Sequence, residues 1–175
     1  MAWSGLYRRR YPVEAGALSH GAFAFAKLVQ LAAIQPGDHV LAIGTGTGYS
    51  AAVLSQIASS IVGVESDSDL ASAAATKMAE LGFNNVVIAN TPLPEGDATR
   101  APYDVIVIEG AVDFVPAQLF DQLKNGGRLV AVEGLGNAGT ARLYMKDDGV
   151  VSGRIAFNLA VKELPGFARA PSFQF

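Results

Sequence analysis

The chain has 175 residues, half of them hydrophobic and 17% charged, with a net charge of −3 and no cysteine. That length suits one domain, 1–175, with a single substantial core, and the apolar richness suits a sheet buried on both faces. The acidic balance argues against nucleic acid as a partner, since phosphate binding is largely cation-driven, and the lack of cysteine excludes disulfides and thiolate metal sites.

Residues 1–18 read as an irregular segment, with Trp3, Tyr7 and Tyr11 around Arg8-Arg9-Arg10. Ser19 is placed to cap a helix reaching about Ile34, with Phe23, Ala26 and Leu28 to Leu31 as its buried stripe. Pro36-Gly37-Asp38 stops that helix, and His39–Ile43 has the length and composition of a strand. Gly44-Thr45-Gly46-Thr47-Gly48 then turns the chain directly into a helix at about Ser50–Ile57. A second apolar run, Ser60–Val64, ends in Glu65. Asp67-Ser68-Asp69 supplies cap and dipole partners for a helix through Leu81, ended by Gly82 in a left-handed conformation.

Val86–Ala89 is a short third strand, and 90–102 a loop dense in proline and glycine. Tyr103–Glu109 is almost wholly apolar, as a buried parallel strand is. Pro116 opens a helix that Asn125-Gly126-Gly127 closes, and Arg128–Val132 is the fifth strand. Strands alternating with helices call for a doubly wound parallel sheet. The pattern then switches: Thr140–Met145 and Val150–Val161 flank Asp147-Asp148-Gly149 as an antiparallel hairpin. Residues 163–175 form a tail whose Phe167, Phe173 and Phe175 pack on the body or against a second copy, which leaves a homo-oligomer open.

The chemistry concentrates at the first turn. Glycines at alternate positions after a strand allow unusual dihedrals and close approach of a ligand to the backbone. Glu65 follows Gly44 by 21 residues, at the tip of the next strand, where a carboxylate can accept from two ribose hydroxyls. A glycine turn with a spaced acid is the chemistry of a nucleoside-containing cofactor. The dinucleotide fingerprint would need glycine at position 49, where Tyr49 stands. That disfavours nicotinamide. His20 and His39 have no companion ligands, so no metal site is expected.

Val40–Ser50, Gly63-Val64-Glu65, Ala101–Val107 and Leu123–Val130 follow one another as in the protein-L-isoaspartate O-methyltransferases, which this chain resembles from about Leu28 to Val132. The resemblance implies a seven-stranded Rossmann-like sheet, doubly wound, mostly parallel and closed by the hairpin. It implies S-adenosyl-L-methionine as cofactor, walled by Ile43, Gly44, Thr45, Gly46, Thr47, Gly48, Tyr49, Glu65, Ser66, Thr91, Pro92, Glu109 and Gly110. The implied reaction is methyl transfer to a carboxylate or other oxygen acceptor, on a protein or peptide substrate in the cytoplasm. No apolar run reaches the roughly 18 residues of a membrane span, so no membrane partner is expected.

Three departures stand out. Ala42 occupies a place where related enzymes carry an acid, and Asn90-Thr91-Pro92 replaces the family's glycine-aspartate-glycine. Leu18-Ser19-His20-Gly21-Ala22 falls at the family's substrate loop, with His20 in place of its key serine. Ser19, His20 and Glu109 are thus the candidate catalytic side chains. Each lost carboxylate lowers the expected cofactor affinity by roughly 10- to 150-fold. The alternative is a degenerate methyltransferase fold that acts as a binding or assembly module, with weak or no cofactor binding and no isoaspartyl repair.

Overall fold

Buried runs of β-branched residues organise the molecule, and a computed structural model describes residues 15–134 and 136–169. β1 (His39–Ile43), β2 (Ser60–Glu65), β3 (Val86–Asn90), β4 (Tyr103–Val112) and β5 (Leu123–Glu133) pair in parallel, and β6 (Thr140–Asp147) and β7 (Val150–Asn158) add on antiparallel. The sheet order is β3-β2-β1-β4-β5-β6-β7. The turn from β5 onward to an antiparallel hairpin is the switch expected from the sequence.

Successive side chains point to opposite faces, so each central strand feeds two cores. Val40, Ala42, Val105, Val107, Val130 and Val132 lie in one core, beneath Leu28, Ala32, Ala51 and Leu54 of the helices. Leu41, Ile43, Ile106, Ile108, Leu129 and Ala131 lie in the other, with Leu119 and Phe167. At about 25 cal/mol per Å² of apolar surface, this double burial is the main stabilising term.

The first helix, α1, runs over Ala15–Ala32. It begins before Ser19, so Ser19 sits within the helix rather than at its cap. Its stripe is also phased differently from the expectation. Ala24, Leu28 and Ala32 are buried at four-residue spacing, while Phe23 is 61% exposed and Ala26 faces solvent. The face turned to the sheet carries Ala24, Leu28 and Ala32, with Phe25, Val29 and Leu31 packed at its margins, and Phe23 lies outside it. Arg128 of β5 fixes the helix end: its Nε donates to the Ala32 carbonyl, and Nη2 donates to the Ala33 carbonyl at 2.7 Å and to Asp38 Oδ2 at 2.6 Å. A cation on the last carbonyls of a helix also meets the negative end of its dipole.

The second helix, α2 (Tyr49–Leu54), follows the glycine bend, and α3 (Ser68–Glu80) follows β2. Asp67 caps α3 by accepting from the Asp69 and Leu70 amides, and Gly82 beyond it has φ +75°, both as expected. A fourth helix, α4 (Ala117–Asp121), is shorter than the sequence pattern suggests, because the chain re-enters the sheet at Leu123 opposite Tyr103.

The tail is tied down. Ala111 donates to the Lys162 carbonyl at 2.9 Å and accepts from the Leu164 amide at 2.9 Å, adding a short parallel bridge to the end of β4. Phe167 is 1% exposed in the second core. The aromatics Trp3, Tyr7, Tyr11, Phe173 and Phe175 and the arginine run lie outside the described residues.

Candidate functional site

Gly44, Gly46 and Gly48 all have positive φ, +87°, +52° and +85°. Residues with a side chain adopt that region at a cost of roughly 1–2 kcal/mol. Beyond this shared need the three differ. A Cβ on Gly48 would stand 3.2 Å from both Ala74 Cβ and Met78 Cε, so this glycine lets α3 approach the bend. A Cβ on Gly44 would stand 2.8 Å from Leu164 Cδ2, so the tail takes that flank. Around Gly46 a Cβ would meet nothing within 4 Å. The open approach to the backbone is therefore at the middle glycine.

Glu65 holds this bend to the neighbouring strand. It is 7% exposed; Oε2 accepts from the Gly46 amide at 2.9 Å and Oε1 from the Asp67 amide at 2.9 Å. Ser66 Oγ is 3.5 Å from Oε1. A carboxylate offers about four acceptor sites, so capacity remains beyond these donors for a ligand hydroxyl. Asn90, opposite Glu65 in the sheet register, donates to its backbone carbonyl at 2.8 Å and fixes the strand end.

Glu109 flanks the bend on the other side. Ile43 pairs with Val64 on β2 and with Ile108 on β4, so the next row places Gly44 between Glu65 and Glu109. Glu109 Oε1 is enclosed and has no hydrogen-bond partner, and neither has the buried Ser50 Oγ. Burial pushes this carboxyl up to about 8; the Ser50 hydroxyl beside it favours the ionised form, and the Glu65 charge opposes it. The two acids of this row thus differ in environment: one is anchored by amides, the other is buried with an oxygen that lacks a partner.

The remaining site residues of the sequence reading divide. Thr45 is buried, with Oγ1 3.5 Å from the Val64 carbonyl, and Thr47 is half-buried. Ile43 is fully buried in the core, which leaves only its backbone for a ligand. Tyr49 is 51% exposed. Thr91 donates to the Gly96 carbonyl at 2.8 Å, and Pro92 leads into the short turn Leu93–Glu95. A Cβ on Gly110 would meet Leu164 Cγ at 2.6 Å and the Lys162 carbonyl at 2.8 Å. The side chains of Ser19 and His20 lie outside the described residues. His39 takes part in the packing at the start of β1: its Nδ1 is 2.6 Å from Ser60 Oγ and its ring stacks on Tyr103 at 4.7 Å.

Sequence reasoning missed Ser50 and Leu164 here. A serine in the first turn of α2 was legible as polar, but its facing Glu109 was not. Leu164 sits in an unpatterned tail, and its only signal is an apolar residue before the turn-forming Pro165-Gly166.

A parallel sheet closed by an antiparallel hairpin, with a glycine bend after β1 and an acid ending β2, is the α/β fold of methyltransferases. The chain belongs to the protein-L-isoaspartate(D-aspartate) O-methyltransferase (PCMT) family, whose model matches residues 8–160. It is similar to the protein-L-isoaspartate O-methyltransferase of Koribacter versatilis (strain Ellin345), 38% identical over 119 residues, covering 68% of this chain and 54% of the relative. It is also similar to protein-L-isoaspartate O-methyltransferase 2 of Rhodopseudomonas palustris (strain HaA2), 36% identical over 163 residues, 90% of this chain and 74% of that one. A solved protein-L-isoaspartate O-methyltransferase superposes with a TM-score of 0.75 at 31% identity, covering 81% of this chain and 46% of the other. This chain spans little more than half the length of several of the curated relatives that it matches.

Proposed function

We propose that the chain is an S-adenosyl-L-methionine-dependent O-methyltransferase whose acceptor is a protein or peptide carboxylate, isoaspartyl residues first among them. The observation that carries the reading is the joint between Glu65 and Gly46: a buried acid held by backbone amides, with spare acceptor sites, beside a glycine open to a ligand. Those residues fit a ribose. The unpartnered Ser50 Oγ and Glu109 Oε1 fit a polar or cationic group further along the same bend. Leu164 against Gly44 narrows the approach there. Ser66, Thr91 and Pro92, at the ends of β2 and β3, are assigned to the nucleoside side, and Gly110 to the wall beside β4.

The cofactor supplies an activated methyl group when bound. The acceptor oxygen of a carboxylate is already ionised at neutral pH, so the chain needs no general base. Holding two partners in line is worth about 7–11 kcal/mol by itself. The absence of an obvious acid–base pair among the described side chains is compatible with this chemistry. Family membership favours an enzyme over a binding or assembly module. The reading takes 1–175 as one domain and the cytoplasm as its setting; no described helix is long and apolar enough to cross a membrane.

The test is transfer of a labelled methyl group from S-adenosylmethionine to an isoaspartyl peptide. Base-labile methyl ester on that peptide, and none on its aspartyl counterpart, supports the assignment. No transfer to any carboxyl peptide, with no binding of S-adenosylhomocysteine, overturns it.

A further inference from the structure

Two acids bracket the first glycine of the bend, and the chain treats them in opposite ways. Glu65 is satisfied by the Gly46 and Asp67 amides. Glu109 has an enclosed oxygen without a partner, and the nearest hydroxyl, on Ser50, is itself buried and unpartnered. Burying a polar atom without a hydrogen bond is costly, and few native side chains are left so. A pair of such atoms, one on a helix and one on a strand, at the bend whose open approach lies at Gly46, marks a place completed by something from outside.

The charge of that group follows from its surroundings. Glu109 shares its face of the sheet with Val107 and, one strand over, with Ala42, both fully buried and apolar. Across the row stands Glu65, a second negative charge; α2 offers only the Ser50 hydroxyl, and the neighbouring β5 offers Val130 and Val132 from the same core. No cation of the described residues acts on Glu109. A neutral donor would satisfy a protonated Glu109 in part. A ligand ammonium would satisfy the carboxylate, offset the charge of Glu65, and leave a donor for Ser50 Oγ.

We propose that Glu109, assisted by Ser50, is the receptor for the ammonium group at the amino-acid end of the S-adenosyl cofactor, while Glu65 takes the ribose of the same molecule. This rests on the cofactor reading above. It makes binding a proton exchange: Glu109 enters as the neutral acid, its proton leaves to solvent, and the carboxylate is retained against the ligand ammonium. Glu109 is thereby a binding and positioning residue that fixes the tail of the cofactor along the bend, rather than the base of the reaction.

The experiment is calorimetry of the full chain with two ligands, S-adenosylhomocysteine and 5′-methylthioadenosine. The second has the same nucleoside but no amino-acid end. Titrations at pH 7 in buffers of different ionisation heat count the protons released. The wild-type chain is expected to release about one proton with S-adenosylhomocysteine and none with methylthioadenosine. Glu109→Gln should weaken S-adenosylhomocysteine by about 10- to 150-fold and abolish the release, with methylthioadenosine unchanged. Ser50→Ala should give a smaller loss of the same kind, and it serves as the second variant should Glu109→Gln fold poorly. Unchanged affinity and proton release in Glu109→Gln overturn the assignment, as does an equal loss for both ligands, which would mean that Glu109 acts through the fold. Binding of methylthioadenosine alone by the wild type overturns the ammonium receptor and spares the nucleoside site. Binding of neither ligand removes the cofactor reading and this inference with it.

Discussion

Leu164 lies on Gly44: a Cβ built on the glycine would stand 2.8 Å from the leucine Cδ2. The tail is held there by its bridge to Ala111, and Phe167 three residues on is anchored in the core. Gly44→Ala therefore meets two penalties, a left-handed φ and a side chain in its way. The strain alone is roughly 1–2 kcal/mol. Gly46→Ala meets only the strain, since its surroundings are open. Urea unfolding should rank Gly44→Ala as the more destabilised. Leu164→Ala should relieve the second penalty and not the first, giving a non-additive double mutant with coupling of about 0.5–3 kcal/mol. Additive losses would show that Leu164 does not rest on the bend.

Glu65 joins β2 to the glycine bend through its side chain, so its replacement should be felt by both stability and ligand. Glu65→Gln turns an acceptor-only group into one with an NH₂ facing amide donors. A loss of about 1.5–3 kcal/mol in thermal or urea unfolding is expected, the range for hydrogen bonds to a charged group. Unlike Glu109→Gln, it should weaken methylthioadenosine as well as S-adenosylhomocysteine. A variant that binds both as the wild type does would place the ribose elsewhere.

The sheet and the bend were legible in the sequence because they rest on local pattern. Buried parallel strands are apolar throughout, and Gly44, Gly46 and Gly48 announce their φ values by their identity. Glu65 was legible for the same reason, as the acid that ends such a run. What failed to show was set by tertiary contact. Phe23 has the look of a core residue and is exposed, because the phase of α1 is set by its packing on the sheet, which buries Ala24 and turns Phe25 rather than Phe23 against the core. The three glycines read alike, yet only one faces open space, since Leu164 and α3 cover the other two. Nor does spacing reveal that Ser50 and Glu109, 59 positions apart, bring two unpaired oxygens together.

The loop before β4 carries an acid-sensitive joint. Asp97, 4% exposed, accepts from the Thr99 amide at 3.0 Å and from the Thr99 hydroxyl and the Arg100 guanidinium, while its backbone carbonyl takes the Tyr103 hydroxyl at 2.7 Å. Burial alone would raise this carboxyl, but the Thr99 and Arg100 bonds outweigh it and hold it below its usual value. A lowered folded pKa contributes stability above the unfolded value, near 4, that is lost as pH falls through the folded one. Asp97→Asn should therefore cost about 1–3 kcal/mol at pH 7 and progressively less below pH 4. Melting temperatures of the two proteins between pH 2 and 7 check this; a constant difference would mean that the charge of Asp97 is not what the loop uses.

Glu109 imposes the opposite dependence. Its carboxyl titrates near 8 in the folded chain, raised by burial from 4.5. Below the lower value both folded and unfolded chains carry the proton and the residue is neutral to stability. Between the two values the unfolded chain has ionised while the folded chain keeps its proton, so stability falls as pH rises across that window and levels off above 8. The total is on the order of a few kcal/mol, at 1.36 kcal/mol per pKa unit. Glu109→Gln cannot ionise and should match the wild type near pH 4 yet melt higher than it at pH 8. Scanning calorimetry across pH 4–9 reads this directly, and parallel curves would show that Glu109 is not held neutral. Saturating S-adenosylhomocysteine should then reduce the fall in the wild type alone, because a carboxylate paired with an ammonium no longer resists losing its proton.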